Sequence, residues 1–412
     1  MAGILVSAAL LLAAGLITGF GIFFVLVYVI VGIFAASKLW IWSIGRGLRL
    51  SRKLPGRAFL GEKIPVTISL QNRSFLPIPW LNVRETLPHE LATYEVMRRV
   101  IAIKPRSSVD IDYELSGNRR GYHPVGPLEA RYGDVFGFAQ RQVGLDRPVN
   151  VIVYPEIVPL DKLGLPSTTP FGTIKTPKIL YEDPSRVIGC REYKPSDSPR
   201  MINWKVSART GIIHVRQLEP AVSHEVTIFV DLNPSGYSRE WVSFSSELGI
   251  VVAASLASAL ISDRQSVGVI VNGLDRVMVG GRAIPAERAR RIRGSRRPRV
   301  PVGKGRKHLM EILALLARVG LLEGEAIGDE LRAGSLRLSW GSTLIVVTGN
   351  GNAELIRSLL DRKKAGHNVT AVFTDALGAS KSKALAAAAG IEAHAVAGRE
   401  GMNVWRDGRA AI

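Results

Sequence analysis

The chain has 412 residues and carries 54 Lys plus Arg against 35 Asp plus Glu, a formal charge of +19. That length exceeds one ordinary domain and predicts two or three. A hydrophobic share of 47% with 22% charged residues excludes a disordered or collagen-like chain, and a lone cysteine, Cys190, excludes an intrachain disulfide framework and a cysteine-based zinc cluster.

Between Met1 and Trp42 the only charged side chain is Lys38. Residues Gly3 to Ala36 form an uninterrupted apolar run, longer than the roughly 18 residues that mark a spanning helix. No basic residue precedes the run, and it is too long for the hydrophobic region of a cleaved signal peptide. As one helix, Gly3 to Trp42 would measure roughly 60 Å, about twice the hydrocarbon thickness. A hairpin is therefore expected within residues 1–45, with helices over about 3–18 and 22–42 and a turn at Thr18-Gly19-Phe20-Gly21. Trp40 and Trp42 suit the membrane interface, and Arg46, Arg49, Arg52, Lys53 and Arg57 follow them. By the positive-inside rule the downstream chain lies in the cytoplasm.

From residue 55 to 159 the pattern becomes short alternating stretches, such as Val66 to Leu70, Val109 to Tyr113 and Val151 to Tyr154, broken by Gly, Pro and Asn. These predict a small antiparallel β-sandwich of Ig-like type. The segments Gly121-Tyr122-His123-Pro124-Val125-Gly126-Pro127 and Gly133-Asp134-Val135-Phe136-Gly137 read as tight corners. Residues 160–221 read as a linker carrying a charged block, and from 222 to 412 strands alternate with helices. Strands are expected at Glu225 to Val230, Ser266 to Val271, Thr343 to Val347 and Asn368 to Phe373. The intervening helices are expected at Glu240 to Ile261, His308 to Val319, Ala353 to Lys364 and Ser380 to Ala389. This is the grammar of a mostly parallel, Rossmann-type sheet covered on both faces. Ligands on such sheets sit at the carboxyl ends of strands, directing attention to the residues after Val230, Val347 and Phe373.

After Val230 the chain reads Asp231-Leu232-Asn233-Pro234-Ser235. Side-chain oxygens at alternate positions after a buried strand resemble the D-x-S-x-S metal-ion-dependent adhesion site of von Willebrand factor A domains. Mg²⁺, which takes oxygen ligands, is the cofactor that Asp231, Asn233 and Ser235 would hold. The same residues also suit a capped turn, and Thr348-Gly349-Asn350 stands where those domains carry Thr-Asp-Gly. Gly349-Asn350-Gly351 mimics a dinucleotide fingerprint, but Glu354 replaces the third glycine and would repel a pyrophosphate. No catalytic constellation is visible, so the chain is read as a non-enzyme.

From Arg288 to Lys307 ten of twenty residues are basic and none is acidic: Arg288, Arg290, Arg291, Arg293, Arg296, Arg297, Arg299, Lys304, Arg306 and Lys307. Interspersed Gly and Pro predict a mobile loop, with an anionic lipid surface as its first partner. Nucleic acid is disfavoured because no aromatic residues are interleaved.

The charged block contains Arg191-Glu192-Tyr193-Lys194-Pro195-Ser196-Asp197-Ser198-Pro199-Arg200-Met201-Ile202-Asn203-Trp204-Lys205-Val206-Ser207-Ala208-Arg209. It resembles the signature R-E-Y-x-P-G-D-x-x-R-x-I-D-W-K-x-x-A-R of the bacterial domain of unknown function 58 family, with Ser196 for Gly and Asn203 for the acidic residue. The resemblance implies a membrane hairpin, a β-sandwich and a von Willebrand A-like domain. It also implies MoxR-type AAA+ ATPases and transglutaminase-like membrane proteins as companions. Arg191, Glu192, Tyr193, Asp197, Arg200, Trp204, Lys205 and Arg209 either pair among themselves or form a docking surface. The expectation is an adaptor at the inner membrane with cytoplasmic soluble domains. The alternative is a metal-dependent hydrolase using Asp231.

Overall fold

The computed structural model describes residues 2–135, 137, 139–145, 147–160, 182–195, 197–220, 225–275, 298–324, 326–335, 338–339 and 341–396. Helices α1, Ala2–Thr18, and α2, Gly21–Gly47, pack against each other. The turn between them depends on Gly19, whose φ of +71° is disfavoured for residues with a Cβ. α2 is long and apolar enough to cross a membrane, and only 11% of its apolar window is buried inside the protein. It runs past the expected end at Trp42 because its last turns are the foot of the next domain. Ile41 and Ile44 are buried in the β-domain core, Ser37 Oγ donates to Asp134 Oδ2 at 3.0 Å, and Trp40 Nε1 donates to Pro77 O at 3.2 Å.

Strand β1, Leu48–Lys53, follows α2 without a linker, so the β domain begins before residue 55. Its further strands are β2 Arg57–Phe59, β3 Lys63–Asn72, β4 Ile78–Thr86, β5 Val96–Ile103, β6 Ser108–Ser116, β7 Gly121–Val125, β8 Leu128–Gly133, β9 Gln140–Leu145 and β10 Val149–Tyr154. They form sheets β1-β3-β6, β5-β4-β8-β9 and β2-β10-β7, antiparallel except for the β2–β10 pair. Strict alternation buries one face of β3: Ile64, Val66, Ile68 and Leu70 are inside. They share one core with Leu81 and Val83 of β4 and Leu128 and Ala130 of β8. Arg52 and Glu85 are buried together in an ion pair there, and Tyr113 donates to the same carboxylate. Burial and then Glu85 push the Tyr113 phenol well above its ordinary value.

Register gives this domain two distinct ends. Leu48, the first residue after α2, pairs with Asn72, Gln71 with Ser108, and Trp80 with Gly133. The β3–β4, β5–β6 and β8–β9 connections therefore lie together beside the end of α2. The β6–β7 connection, with Arg120, lies at the opposite end.

Strands β11 Glu182–Glu192 and β12 His214–Pro220 form an antiparallel hairpin enclosing α3, Trp204–Thr210. In the C-terminal region come β13 Glu225–Val230, α4 Val242–Ser262, β14 Ser266–Val271, β15 Leu274–Asp275, β16 Arg299–Gly303, α5 Arg306–Arg318 and β17 Val319–Gly320. These are followed by α6 Ile327–Ser335, β18 Thr343–Thr348, α7 Ala353–Lys364, β19 Asn368–Phe373, α8 Ala379–Ala388 and β20 Glu392–Ala395. The main sheet has the order β16-β14-β13-β18-β19-β20 and is parallel except for the edge strand β16. Alternate residues of the central strands feed two cores. Ile228, Val230, Ile345 and Val347 pack with α4 and α5, while Phe229, Leu344, Val346 and Phe373 pack with α6, α7 and α8. α4 is also apolar enough to cross a membrane, but 78% of its window is buried in this core.

Part of the expected mobile loop is regular structure. Arg299 to Gly303 is an edge strand with Val300 and Val302 half-buried, and α5 starts at Arg306. An edge strand tolerates Pro301 because its missing N–H is not needed by a neighbour.

The β domain and the α/β region meet over Tyr154 and Leu160, which belong to the α4–α5 core. One side chain locks the contact. Arg120 Nε and Nη2 donate to the Glu247 carboxylate at 2.6 and 2.8 Å, and Nη1 donates to the carbonyls of Leu316, Ala317 and Val319 at 2.9, 3.1 and 2.9 Å. A cation thus caps the negative end of α5. Removing one partner of a buried pair costs about 3–5 kcal/mol. Arg120→Ala in the detergent-solubilised chain is expected to lose hydrogen-exchange protection of that size from Leu315 to Gly320 and in β10. Glu247→Gln, which leaves the carbonyl contacts, should lose less. Unchanged protection in Arg120→Ala would make the clamp dispensable.

Candidate functional site

The sheet reverses its strand order between β13 and β18, where a crevice is expected at the carboxyl ends. Asp231 follows β13 and is buried. Its Oδ1 accepts from Asn272 Nδ2 at 2.7 Å and from Asn233 N at 3.1 Å, and its Oδ2 accepts from Thr348 Oγ1 at 2.7 Å. Asn233 Oδ1 accepts from Ser235 N at 3.1 Å, while its Nδ2 donates to Gly324 O at 2.8 Å. Ser235 is exposed. The three residues expected to hold Mg²⁺ are neighbours, but both Asp231 oxygens and Asn233 Oδ1 accept from donors of the protein.

Asp375, after β19, accepts from Ser238 N and Oγ at 3.1 and 2.7 Å and from Gly378 N at 2.9 Å. It pins the turn after β13 to the start of α8. Tyr237 is buried and donates its hydroxyl to Asp231 O, and a Cβ on Gly349 would stand 2.4 Å from both the Tyr237 ring and Gly236 O. Only glycine allows this approach. Both Asp231 oxygens and Asn233 Oδ1 already accept from protein donors, and among the described residues no group of three or more His, Cys, Asp or Glu side chains is placed to hold a metal, so the residues present do not fit a divalent cation.

Burial raises the pKa of Asp231, opposed by the bonds from Thr348, Asn233 and Asn272. Burial also acts upward on Asp375, but there the donors, Ser238 first, outweigh it and hold the carboxyl below its ordinary value. Tyr237 is pushed well up, by burial first and then by Asp231 and Asp375.

The signature block splits into a paired part and an exposed part. Arg191 Nη1 and Nη2 donate to Asp197 at 2.6 and 2.7 Å, and Lys194 N adds 2.8 Å. This lowers the Asp197 carboxyl to about 2, the Arg191 hydrogen bond being the largest cause. Asn203 caps α3 by accepting from Val206 N at 3.4 Å and donates to Cys190 Sγ at 3.2 Å. Ser207 Oγ donates to Asn203 O and accepts from His214 N, both at 2.9 Å, and Tyr193 N donates to Ile213 O at 2.9 Å. On this frame no residue of α3 is buried. Trp204 is 70% exposed. Glu192, Arg200, Lys205 and Arg209 are exposed as well, as are Ile212 and Ile213.

Of the basic run, Arg288, Arg290, Arg291, Arg293, Arg296 and Arg297 lie outside the described residues. Arg299, Lys304, Arg306 and Lys307 are exposed on β16 and around the start of α5. Of the segments read as corners, Gly121–Val125 is the strand β7, and the residue before it and the start of the second segment have specific partners. Arg120 clamps α5, and Asp134 holds α2 while accepting from Ala139 N at 2.8 Å. A signal for the first was present: Glu247 is the only charged residue of the apolar helix α4, and a carboxylate drawn into an apolar surrounding requires a partner.

Residues 189–392 match the family model described as "Protein of unknown function DUF58". The uncharacterized protein YeaD of Bacillus subtilis (strain 168) is 22% identical over 192 residues, which are 46% of this chain and 48% of YeaD. The match thus spans about half the length of that relative. Among solved structures, a CARDB domain from Pyrococcus furiosus in complex with di-metal ions is 13% identical, over 26% of this chain and 89% of that one, at a TM-score of 0.19. A β-glucosidase from Listeria innocua in complex with glucose is 14% identical, over 26% and 16%, at 0.17. At these scores neither structure carries an argument about this chain.

Two outcomes follow at Asp231. Magnesium is expected to leave the melting temperature unchanged; a rise that Asp231→Asn abolishes would overturn the assignment of this carboxylate as an internal acceptor. Its raised pKa means that the fold favours the neutral acid. The stabilising contribution is full below the ordinary value of about 3.9 and is lost as pH rises through the raised value. Asp231→Asn, which can retain the hydrogen bonds, should flatten that fall in a pH series of melting curves.

Proposed function

Residues 189–392 belong to the DUF58 family, and on that premise we propose that the chain is a membrane-anchored adaptor whose α3 surface docks a soluble protein partner. α1 and α2 hold it in the bacterial inner membrane. Exposed Arg46, Arg49, Lys53 and Arg57 keep the downstream domains in the cytoplasm; Arg52 is buried against Glu85 and stands apart from that set. We read the β domain as Ig-like and the α/β region as von Willebrand A-like. In chain order the main sheet runs 3-2-1-4-5-6 with the third strand antiparallel, which supports the second reading.

The observation that carries the proposal is the exposure of Trp204 beside Arg200, Lys205 and Arg209, on a helix fixed at both ends by Asn203 and Gly211. Trp and Arg are the usual anchors of protein interfaces. The cationic rim selects an acidic partner surface, and the family resemblance makes a MoxR-type AAA+ ATPase the expected occupant. The basic run adds contact with anionic lipid. A metal-dependent hydrolase finds no support at Asp231, whose oxygens face donor hydrogens.

The test is binding of the purified MoxR-type ATPase of the same organism to the full-length chain in nanodiscs. Trp204→Ala, and the pair Lys205→Ala and Arg209→Ala, should each weaken it by about 30-fold, equivalent to a hot spot of roughly 2 kcal/mol. Unchanged affinity would remove the α3 surface, and no binding by the unaltered chain would remove the ATPase.

A further inference from the structure

The end of the β domain beside α2 presents an unusual combination. Three connections meet there, and each is attached to α2 or to its neighbour. In the β3–β4 connection, Arg73 N donates to Gly47 O at 3.0 Å and Pro77 O accepts from Trp40. The β5–β6 connection is tied to it by Arg106 N donating to Ser74 O at 3.0 Å and by Asn72 Nδ2 donating to Lys104 O at 3.1 Å. In the β8–β9 connection, Asp134 is held by Ser37. Ser37 lies ten positions before the C-terminal Gly47 of α2, so these loops stand alongside the apolar helix and not beyond its end.

What the loops expose is apolar at the tips and basic around them. Phe75 is 70% exposed and Val135 68%, although neighbouring positions such as Asn72 and Ser74 are buried. Arg73, Lys104, Arg106 and Arg141 are exposed, and none makes an ion pair among the described residues. The acidic residue of these loops, Asp134, is turned inward to Ser37 and Ala139. Large apolar side chains at the tip of a loop, ringed by uncompensated cations, are poorly placed in water and well placed at the headgroup level of an anionic bilayer.

The geometry points to a lipid-binding collar: Phe75 and Val135 enter the leaflet surface next to α2, while Arg73, Lys104, Arg106 and Arg141 bind anionic phospholipid headgroups. The collar rests on the membrane-spanning reading of α2 and adds a second attachment. A spanning helix alone leaves its own tilt in the bilayer open, and the β domain fixed to it tilts with it, whereas contact through three loops sets that tilt. The strands then carry the Arg120 end, and the α/β region held there, away from the membrane at a set height.

The test uses the full-length chain with Cys190→Ser, spin-labelled at one introduced cysteine: Phe75→Cys, Val135→Cys, Val29→Cys in α2 or Leu377→Cys in the α/β region. The last three native side chains are also exposed, so folding is expected to survive. Nanodiscs contain either phosphatidylcholine alone or equal parts of phosphatidylcholine and phosphatidylglycerol, and accessibility to oxygen and to a water-soluble nickel chelate is measured. The collar predicts oxygen-accessible, nickel-protected labels at positions 29, 75 and 135, and a nickel-accessible label at 377. Protection at 75 and 135 should be greater with phosphatidylglycerol. Arg73→Gln with Arg106→Gln should lower the immersed-to-aqueous ratio at position 75 by at least about fivefold, the factor expected for one headgroup-bound cation.

Nickel-accessible labels at 75 and 135 with a protected label at 29 would overturn the collar and leave the membrane anchor standing. A nickel-accessible label at 29 would overturn both. Equal protection in the two lipids would overturn the assignment of the cations to anionic headgroups.

Discussion

Arg120 sits where two independently built cores meet, and its side chain is 7% exposed. A charge at that depth is tolerated only when its donors are matched. The matches come from both ends of a single helix pair: the carboxylate of Glu247 in α4, and the last carbonyls of α5. The side chain therefore reads the relative position of α4 and α5 as well as the docking of the β domain. Tyr154 and Leu160 supply apolar area at the same junction, but apolar contact is non-directional and would allow sliding. The planar, bidentate Arg–carboxylate contact supplies the direction.

Asp134 plays the corresponding part at the other end of the β domain, receiving Ser37 from α2 and Ala139 from its own loop. Between these two corners run the long paired strands β3, β4 and β6. With about 3.3 Å per residue, nine-residue strands separate the corners by roughly 30 Å. The domain thus couples α2 to the α/β region as a stiff spacer, with a hydrogen-bonded corner at each end in place of a flexible hinge.

Much of this arrangement is legible from local pattern. Continuous apolar runs such as Glu225–Val230 and Thr343–Thr348 can be satisfied only by strands buried on both faces, and alternation such as Lys63–Asn72 only by strands buried on one. What local pattern does not carry is partnership. The sequence Asp231-Leu232-Asn233-Pro234-Ser235 suits a metal loop and a capped turn equally; the decision lies with Asn272 and Thr348, which arrive from two other strand ends. Arg120 likewise stands at a recognisable corner while its carboxylate partner is 127 positions away. β16 escaped notice because Pro301, Gly303 and the surrounding cations are loop-like in composition, and only pairing to β14 makes them a strand.

The same distinction changes what the excess of positive charge means. Arg52, Arg120 and Arg318 are wholly or largely buried, and each faces a carboxylate, of Glu85, Glu247 and Asp275. The buried carboxyls of Asp134, Asp231 and Asp375 instead take hydrogen bonds from hydroxyl, amide and backbone donors, so the positive surplus of the sequence lies on the surface or outside the described residues. Among the exposed cations of the described surface are groups beside α2, at α3 and at the start of α5. Long-range attraction to anions is screened over about 8 Å at physiological ionic strength, so dispersed cations would add little to one another. In groups held on regular elements, cations act at short range, where the chemistry of the opposite surface is distinguished.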